Sequence, residues 1–360
     1  TFAYSYYQFR PTEHNLVSEW DFLYNKAHNE FLNYLATTGI IGFSTYLAVI
    51  VTFIFWSIRR IINPILVASL LAGYVSYLVQ NFFGFSVVII AVLFYLFPAF
   101  AFVLSDSTKL ITYPTSHIAI YKRPIYTKAI KLLIILTTGY LLLTTFKMWL
   151  ADTYFAIGER TNEAGNPGRA YNNLSIANRL NPKEPFYINE LGYAAASSAI
   201  ALKETDATLS AQLKEEADSE TEKSLAISPK NTSFWRTAIR THYQLADLDR
   251  KYNDKTIRTV DKTISLAPTD PKLYYNKALI LGQLDKNQEA IKTLEKAIQL
   301  KPNYKEAYYS LALFQFGQKD YQRAVETMRK IYKIIPNDPD ATIKLVEWGQ
   351  KGIATQSGIL

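Results

Sequence analysis

The sequence predicts an all-α chain: a bundle of transmembrane helices followed by a solenoid of helix pairs. Three observations predict it. The charges are split, with ten Lys/Arg and five Asp/Glu in 1–150 against 29 and 26 in 151–360. Between Gly39 and Leu104 the only charged residues are Arg59 and Arg60, so apolar segments there reach membrane length. Prolines recur at Pro182, Pro229, Pro268, Pro302 and Pro336, and the last two intervals are both 34 residues.

Composition narrows the chemistry. The chain has 360 residues, a net charge of +8 and no cysteine. Disulfides, thiolate catalysis and cysteine-based zinc sites are therefore excluded. The basic residues of the first part cluster at the ends of apolar segments, so topology accounts for them and a nucleic-acid partner is not expected. The first residue is Thr1, in what reads as a loop, so we expect the C-terminal portion of a longer protein.

Residues 1–38 form an expected outer loop with a histidine motif, and 39–150 the membrane helices. A span needs about 20 apolar residues to cross roughly 30 Å of hydrocarbon. Four segments qualify, at about 39–58, 61–80, 85–104 and 130–150. Lys131 and Lys147 lie near the ends of the last, where long cationic side chains can reach the interface. Arg59, Arg60, Lys109, Lys122, Arg123 and Lys128 fall in the two connections expected to be cytoplasmic. The uncharged turn Asn81–Gly84, the N-terminal segment and everything beyond Leu150 then lie outside. Pro64 suits the first turn of the second helix. Pro98 should kink the third. Ala68, Ala72 and Ser76 form a small-residue stripe suited to close helix packing.

Residues 151–348 read as repeats, and 349–360 as a tail. Two units are regular: "PKLYYNKALILGQLDKNQEAIKTLEKAIQLKP" and "KEAYYSLALFQFGQKDYQRAVETMRKIYKIIP". Small residues at Ala278, Ala290 and Ala297 let paired helices approach. A third fit runs through Tyr154, Gly158, Ala170, Ala177 and Pro182. The unit ending at Pro229 carries extra residues, the unit ending at Pro268 is degenerate, and "DPDATIKLVEWGQKGI" looks like a capping helix. The pattern resembles the tetratricopeptide family, with about five repeats. That resemblance implies a concave face for a protein partner. A rigid spacer is the plainer alternative. His242, in the degenerate unit, reads as an ordinary packed or surface histidine, and His117 has no partner motif.

The chemistry-bearing stretch is "AHNEFLNYLATTGIIG", Ala27 to Gly42. On one continuous helix His28, Leu32, Leu35, Gly39 and Gly42 would form a single stripe. The glycines would let a neighbouring helix or lipid approach it. Glu30 would point aside, so no His-Glu relay is expected. Trp20, Phe22 and Tyr24 read as interface anchors.

A His-Asn pair, nine residues and then G-x-x-G, before an apolar helix and after an outer loop, resembles the O-antigen ligase and polymerase family of membrane glycosyltransferases. The resemblance implies inverting, metal-independent transfer of glycan from a polyprenyl-diphosphate carrier to an acceptor hydroxyl. It would take place at the outer face of the cytoplasmic membrane, without cofactor. His28 would be the catalytic residue, as a base or as an orienting group. Asn29 and Arg10 would contact substrate, with Arg10 on the diphosphate. Gly39 and Gly42 would be structural, and His14 is a second loop histidine to weigh. The acceptor could be glycan, lipid or protein, the last making it a protein O-oligosaccharyltransferase. The other class of reading is a non-catalytic, membrane-anchored tetratricopeptide scaffold for envelope proteins.

Overall fold

The computed structural model describes residues 2–22, 24, 26–59, 64–105 and 124–350. Arg60, Lys109, His117, Lys122 and Arg123, and the tail beyond residue 350, lie outside the described residues. Among the described residues all regular structure is helical. The chain separates into two units, Thr1–Ala3 with Tyr24–Leu143, and Tyr4–Leu23 with Thr144–Leu360. The second grouping differs from the expected single outer loop, because residues 4–23 pack with the repeats rather than preceding the membrane helices as a free segment.

In the first unit, α2 (Glu30–Arg59), α3 (Pro64–Phe83) and α4 (Val88–Leu104) share an aromatic core. Tyr46 stacks on Tyr34 at 4.1 Å and on Phe94 at 5.1 Å, and Phe53, Tyr74 and Tyr77 complete the cluster. The opposite faces are apolar and exposed, as at Ile41, Ile65 and Phe83. By length and composition α2, α3 and the span Lys128–Glu163 can cross a membrane. The expected third crossing is shorter than expected. Phe85–Val87 are non-helical, so α4 has 17 residues. At about 1.5 Å per residue it falls short of a 30 Å core. It continues through Pro98. Ala68, Ala72 and Ser76 are exposed rather than packed against α2 or α4.

α5 (Pro124–Glu163) is one helix of 40 residues whose first half belongs to the first unit and whose second half belongs to the repeats. Leu136 and Leu143 are exposed, whereas Ala151 is wholly buried against Ala177 and Tyr187. The expected boundary near residue 150 is therefore a change of environment along one helix.

The second unit continues with α6 (Pro167–Leu180), α7 (Pro185–Leu202), α8 (Ala207–Ile227), α9 (Thr232–Leu245), α10 (Lys251–Leu266), α11 (Pro271–Gln283), α12 (Asn287–Leu300), α13 (Lys305–Gly317), α14 (Tyr321–Ile334) and α15 (Pro339–Gln350). Asn166, Asp206, Asn231, Asp270 and Asp320 cap helix N-termini by accepting backbone N–H bonds. Ala278, Leu281, Ala290, Leu294 and Ala297 are buried together. Gly158 is required by Leu174, whose Cγ would lie 2.6 Å from an added Cβ. The extra residues before Pro229 lengthen α7 and α8 rather than forming a loop. Trp348 of α15 stacks on Phe316 and closes the end.

The degenerate pair α9/α10 explains its own faint signature. Its buried positions include Thr237, Thr241, Thr256, Thr259 and Thr263 in place of alanine and leucine. These threonine hydroxyls donate to helical carbonyls or bond neighbouring side chains, which makes a polar core tolerable.

Near the start of the chain, α1 (Phe2–Phe9) and a 3₁₀ turn (Thr12–Leu16) bring Tyr7 into a core with Ile239, Val260 and Leu273.

Candidate functional site

His28 is exposed, and its ring stacks on Phe85 with centroids 5.3 Å apart and planes 15° apart. Tyr24 meets it edge-on at 6.5 Å, and Lys26 Nζ lies 5.6 Å from the centre of the Phe85 ring. Phe85 is presented by a locked turn. The buried carboxylate of Glu30 accepts the backbone N–H of Ser86 at 3.1 Å, and Ser86 Oγ bonds Tyr77 Oη at 2.7 Å. Asn81–Gly84, expected as an uncharged turn, is instead the helical end of α3 through Phe83 with one residue beyond, and Phe82 meets Asn29, next to His28. Glu30, expected to point aside, is the anchor of this arrangement. As an acid in the first turn of α2 it also complements the helix dipole.

The expected stripe does not form. Asn29 caps α2, so His28 precedes the helix. Gly39, at φ 69° and ψ −171°, then breaks the helical register. That backbone region is almost exclusive to glycine. The two motif glycines have separate duties. Nothing lies within 4 Å of a Cβ built on Gly39, so its duty is conformational. At Gly42 an added Cβ would meet Thr38 Oγ1 at 2.2 Å, so what approaches is a side chain of its own helix.

Asn29, assigned to substrate, is committed at both ends. Its Nδ2 donates to Phe82 O at 2.9 Å, and its Oδ1 accepts the Leu32 N–H at 2.9 Å. It straps α2 to the end of α3. Arg10, assigned to a diphosphate, is 3% exposed. It belongs to the repeat unit, and its guanidinium donates to Trp20 O at 3.1 Å and to Asn15 Oδ1. His14 faces Tyr6 in the same segment. Burial, followed by the Arg10 charge, lowers its pKa. Trp20, read as an interface anchor, packs instead on Tyr304 at 5.3 Å with Lys301 Nζ 4.6 Å from its ring.

The sequence reading missed Tyr7, Asn15 and Asp21 as contact residues, because their partners lie more than 200 positions away. Asn15 Nδ2 donates to Thr269 O and Leu300 O, and Asp21 pairs with Lys272.

In the degenerate pair, His242 is buried, as one of the two expected alternatives held. Its Nδ1 lies 2.9 Å from Thr259 Oγ1 and its Nε2 3.4 Å from Asp218. With Glu222 these groups have the donor set and proximity for a cation. The Lys255 ammonium fills that role, at 2.5 Å from Asp218 and 2.7 Å from Glu222. Burial pushes Asp218 up, but hydrogen bonds from His242 and Lys255 outweigh it and hold the carboxyl down to about 2.

Three adjoining hollows of the repeat unit share Arg240. One, of about 360 Å³, is lined by Glu159, Asn162, Glu163, Glu190 and Tyr193. The others, of about 270 and 280 Å³, extend past Arg236 and Asn276 to Leu279. Arg240 lies over the Tyr193 ring at 4.4 Å. Burial raises the Glu190 pKa; Arg240 opposes this, while Glu159 and Glu163 add to it.

A family model described as tetratricopeptide repeat matches residues 275–339. Within the second unit, the helices α11 to α14 are therefore similar to tetratricopeptide repeats. Similar solved structures include MamA from Desulfovibrio magneticus RS-1, at 20% identity over 53% of this chain and 97% of that one, with a TM-score of 0.40. A thermophilic TPR protein of Thermus thermophilus shows 15% identity over 55% and 97%, at 0.38. PilF of Pseudomonas aeruginosa shows 17% over 59% and 90%, at 0.42. No curated protein matches the chain. The family match begins just after the threonine-lined pair, where the alanine and leucine signature resumes.

Proposed function

We propose that the chain is a membrane-anchored tetratricopeptide scaffold that binds an extended polypeptide of the cell envelope. The observation that carries this reading is the groove around Arg240. Three carboxylates gather about one guanidinium at its acidic end, and apolar Leu279 and Ile280 lie at the other. Such a groove favours a segment bearing a cationic side chain followed by apolar ones. A photo-reactive residue at Tyr243, in intact cells, should link one discrete protein. Glu190→Lys with Glu163→Lys should abolish that product. A product indifferent to both substitutions would overturn the groove as the binding face.

A second reading is favoured by the His28 turn. An exposed imidazole and a lysine on one phenylalanine ring, at the end of apolar helices and ahead of one glycine required by its φ and one by a close side chain, support glycan transfer from a polyprenyl-diphosphate carrier. The product could be a polysaccharide or a glycosylated lipid or protein. In this reading the imidazole accepts or orients the attacking hydroxyl's proton while the diphosphate leaves. His28→Ala in the intact protein should remove transfer and leave membrane insertion unchanged. Undiminished transfer would sink it. In both readings the helices sit in the cytoplasmic membrane, with the His28 turn and the repeats outside.

A further inference from the structure

Helices α8 and α9 bring three ligand-type side chains to one point beside α10. Asp218 and Glu222 are four residues apart on α8, so they share one face. His242 reaches them from α9. One ligand atom from each lies within 4.8 Å of the other two. Two fully buried side chains border the same carboxylate. His242 is 1% exposed, and its Nε2 has no well-aligned hydrogen-bond partner; Tyr252 is 0% exposed, and its hydroxyl has none either. Burial, and after it the Asp218 charge, raise the Tyr252 pKa, which sets that hydroxyl near the carboxylate. Buried polar atoms are nearly always paired, so two orphans at one carboxylate point to a group that binds there. The charges agree: two carboxylates against the one Lys255 ammonium leave a negative charge over.

We infer that Asp218, Glu222 and His242 form a binding site for a divalent transition-metal ion, Zn2+ by its donor set, with Lys255 as the counter-ion that the metal displaces. One imidazole and two carboxylates suit zinc, whereas Ca2+ and Mg2+ favour oxygen alone. Tetrahedral bonds of about 2.0–2.1 Å set ligand atoms roughly 3.4 Å apart. His242 Nε2 and Asp218 Oδ1 stand 3.4 Å apart. The other ring nitrogen is held for the task. Nδ1 lies 2.9 Å from Thr259 Oγ1, and that hydroxyl lies 2.8 Å from the Lys255 carbonyl oxygen. With the Thr259 proton given to that carbonyl, Nδ1–H donates to Thr259 and Nε2 turns its lone pair to the metal. The Lys255 and Glu222 side chains are 25% and 55% exposed, so the ammonium can swing out and an ion can enter. The ion joins α8 to α9, in the part of the repeat unit where threonines replace the alanine and leucine packing. The inference rests on neither reading of function given above.

The test is calorimetric titration of Zn2+ into the intact protein in detergent, prepared without a polyhistidine tag and stripped with EDTA. One Zn2+ per chain should bind at the tightest site, and equimolar Mg2+ or Ca2+ should not displace it. His242→Gln removes a ligand and should weaken that binding by at least about a hundredfold; Thr259→Val, which leaves Nδ1 unheld, should weaken it by about ten- to a hundredfold. Lys255→Met should strengthen it by about tenfold or more, because no ammonium competes. Absence of saturable binding, displacement by Mg2+ or Ca2+, or full affinity in His242→Gln overturns the site. So does equal or weaker binding by Lys255→Met, the result expected if the lysine only braces two acids. If His242→Gln fails to fold, Lys255→Met decides alone.

Discussion

The two units use the same apolar residue types in opposite ways. In the repeats, alanine and leucine turn inward, and Ala290, Leu294 and Ala297 are fully buried. In the helical unit the interior is mostly aromatic, with Ile50, Val67 and Ala101 beside the rings, and many aliphatic residues face outward, as Ile40, Ile41 and Ile65 do. α5 carries both regimes, exposed at Leu136 and buried at Ala151. Hydrophobicity alone therefore does not locate a core. What distinguishes the regimes is whether a neighbouring helix covers the residue, as Ala177 and Tyr187 cover Ala151.

Leu294→Ala gives the largest expected effect on this contrast. A cavity between α11 and α12 should cost about 2–5 kcal/mol, seen as a lower melting temperature. Leu136→Lys tests the other side. If that face meets lipid, the charge should cost roughly 2.5–3.5 kcal/mol of insertion, read as loss of protein from alkali-washed membranes. Indifference to it would place that face in water.

Gly39→Ala should be next, at about 1–3 kcal/mol, because alanine is strained at positive φ. Its signature is faster amide exchange around residue 39 with unchanged melting of the repeats. Asp218→Asn should be smallest. The folded carboxyl titrates near 2, below its ordinary value. Its contribution is therefore complete above about pH 4 and fades as pH falls toward 2. The variant should melt slightly lower at neutral pH and no differently below about pH 2.

Much of the fold was legible because its signals are local. Helix caps, the 34-residue spacing and long uncharged segments each act within one or two turns. Gly158 took the place its pattern implied, and the stretch read as a capping helix is helical. The site was less legible. The stripe through His28 assumed an unbroken helix, and nothing local to Gly39 distinguishes a glycine chosen for closeness from one chosen for φ. Arg10 and Asn29 were assigned by chemical type. Their actual partners, Asn15 and Trp20 for one and Phe82 for the other, are set by tertiary contacts. The packing of residues 4–23 on the repeats was invisible because a buried asparagine has no periodicity, and its carbonyl partners lie beyond residue 260.

The polar groups below His28 also limit what can happen there. Asn29 gives its N–H to Phe82 O, Asn33 to Glu30, and the hydroxyls of Thr37, Thr38 and Thr45 turn back onto Asn33, Tyr34 and Gly42. The three threonine hydroxyl protons are committed, so those hydroxyls are left with lone pairs, while Asn29 and Asn33 each keep a second amide N–H. Below the helix mouth an incoming hydroxyl therefore finds acceptors at the threonines and donors at the two amides.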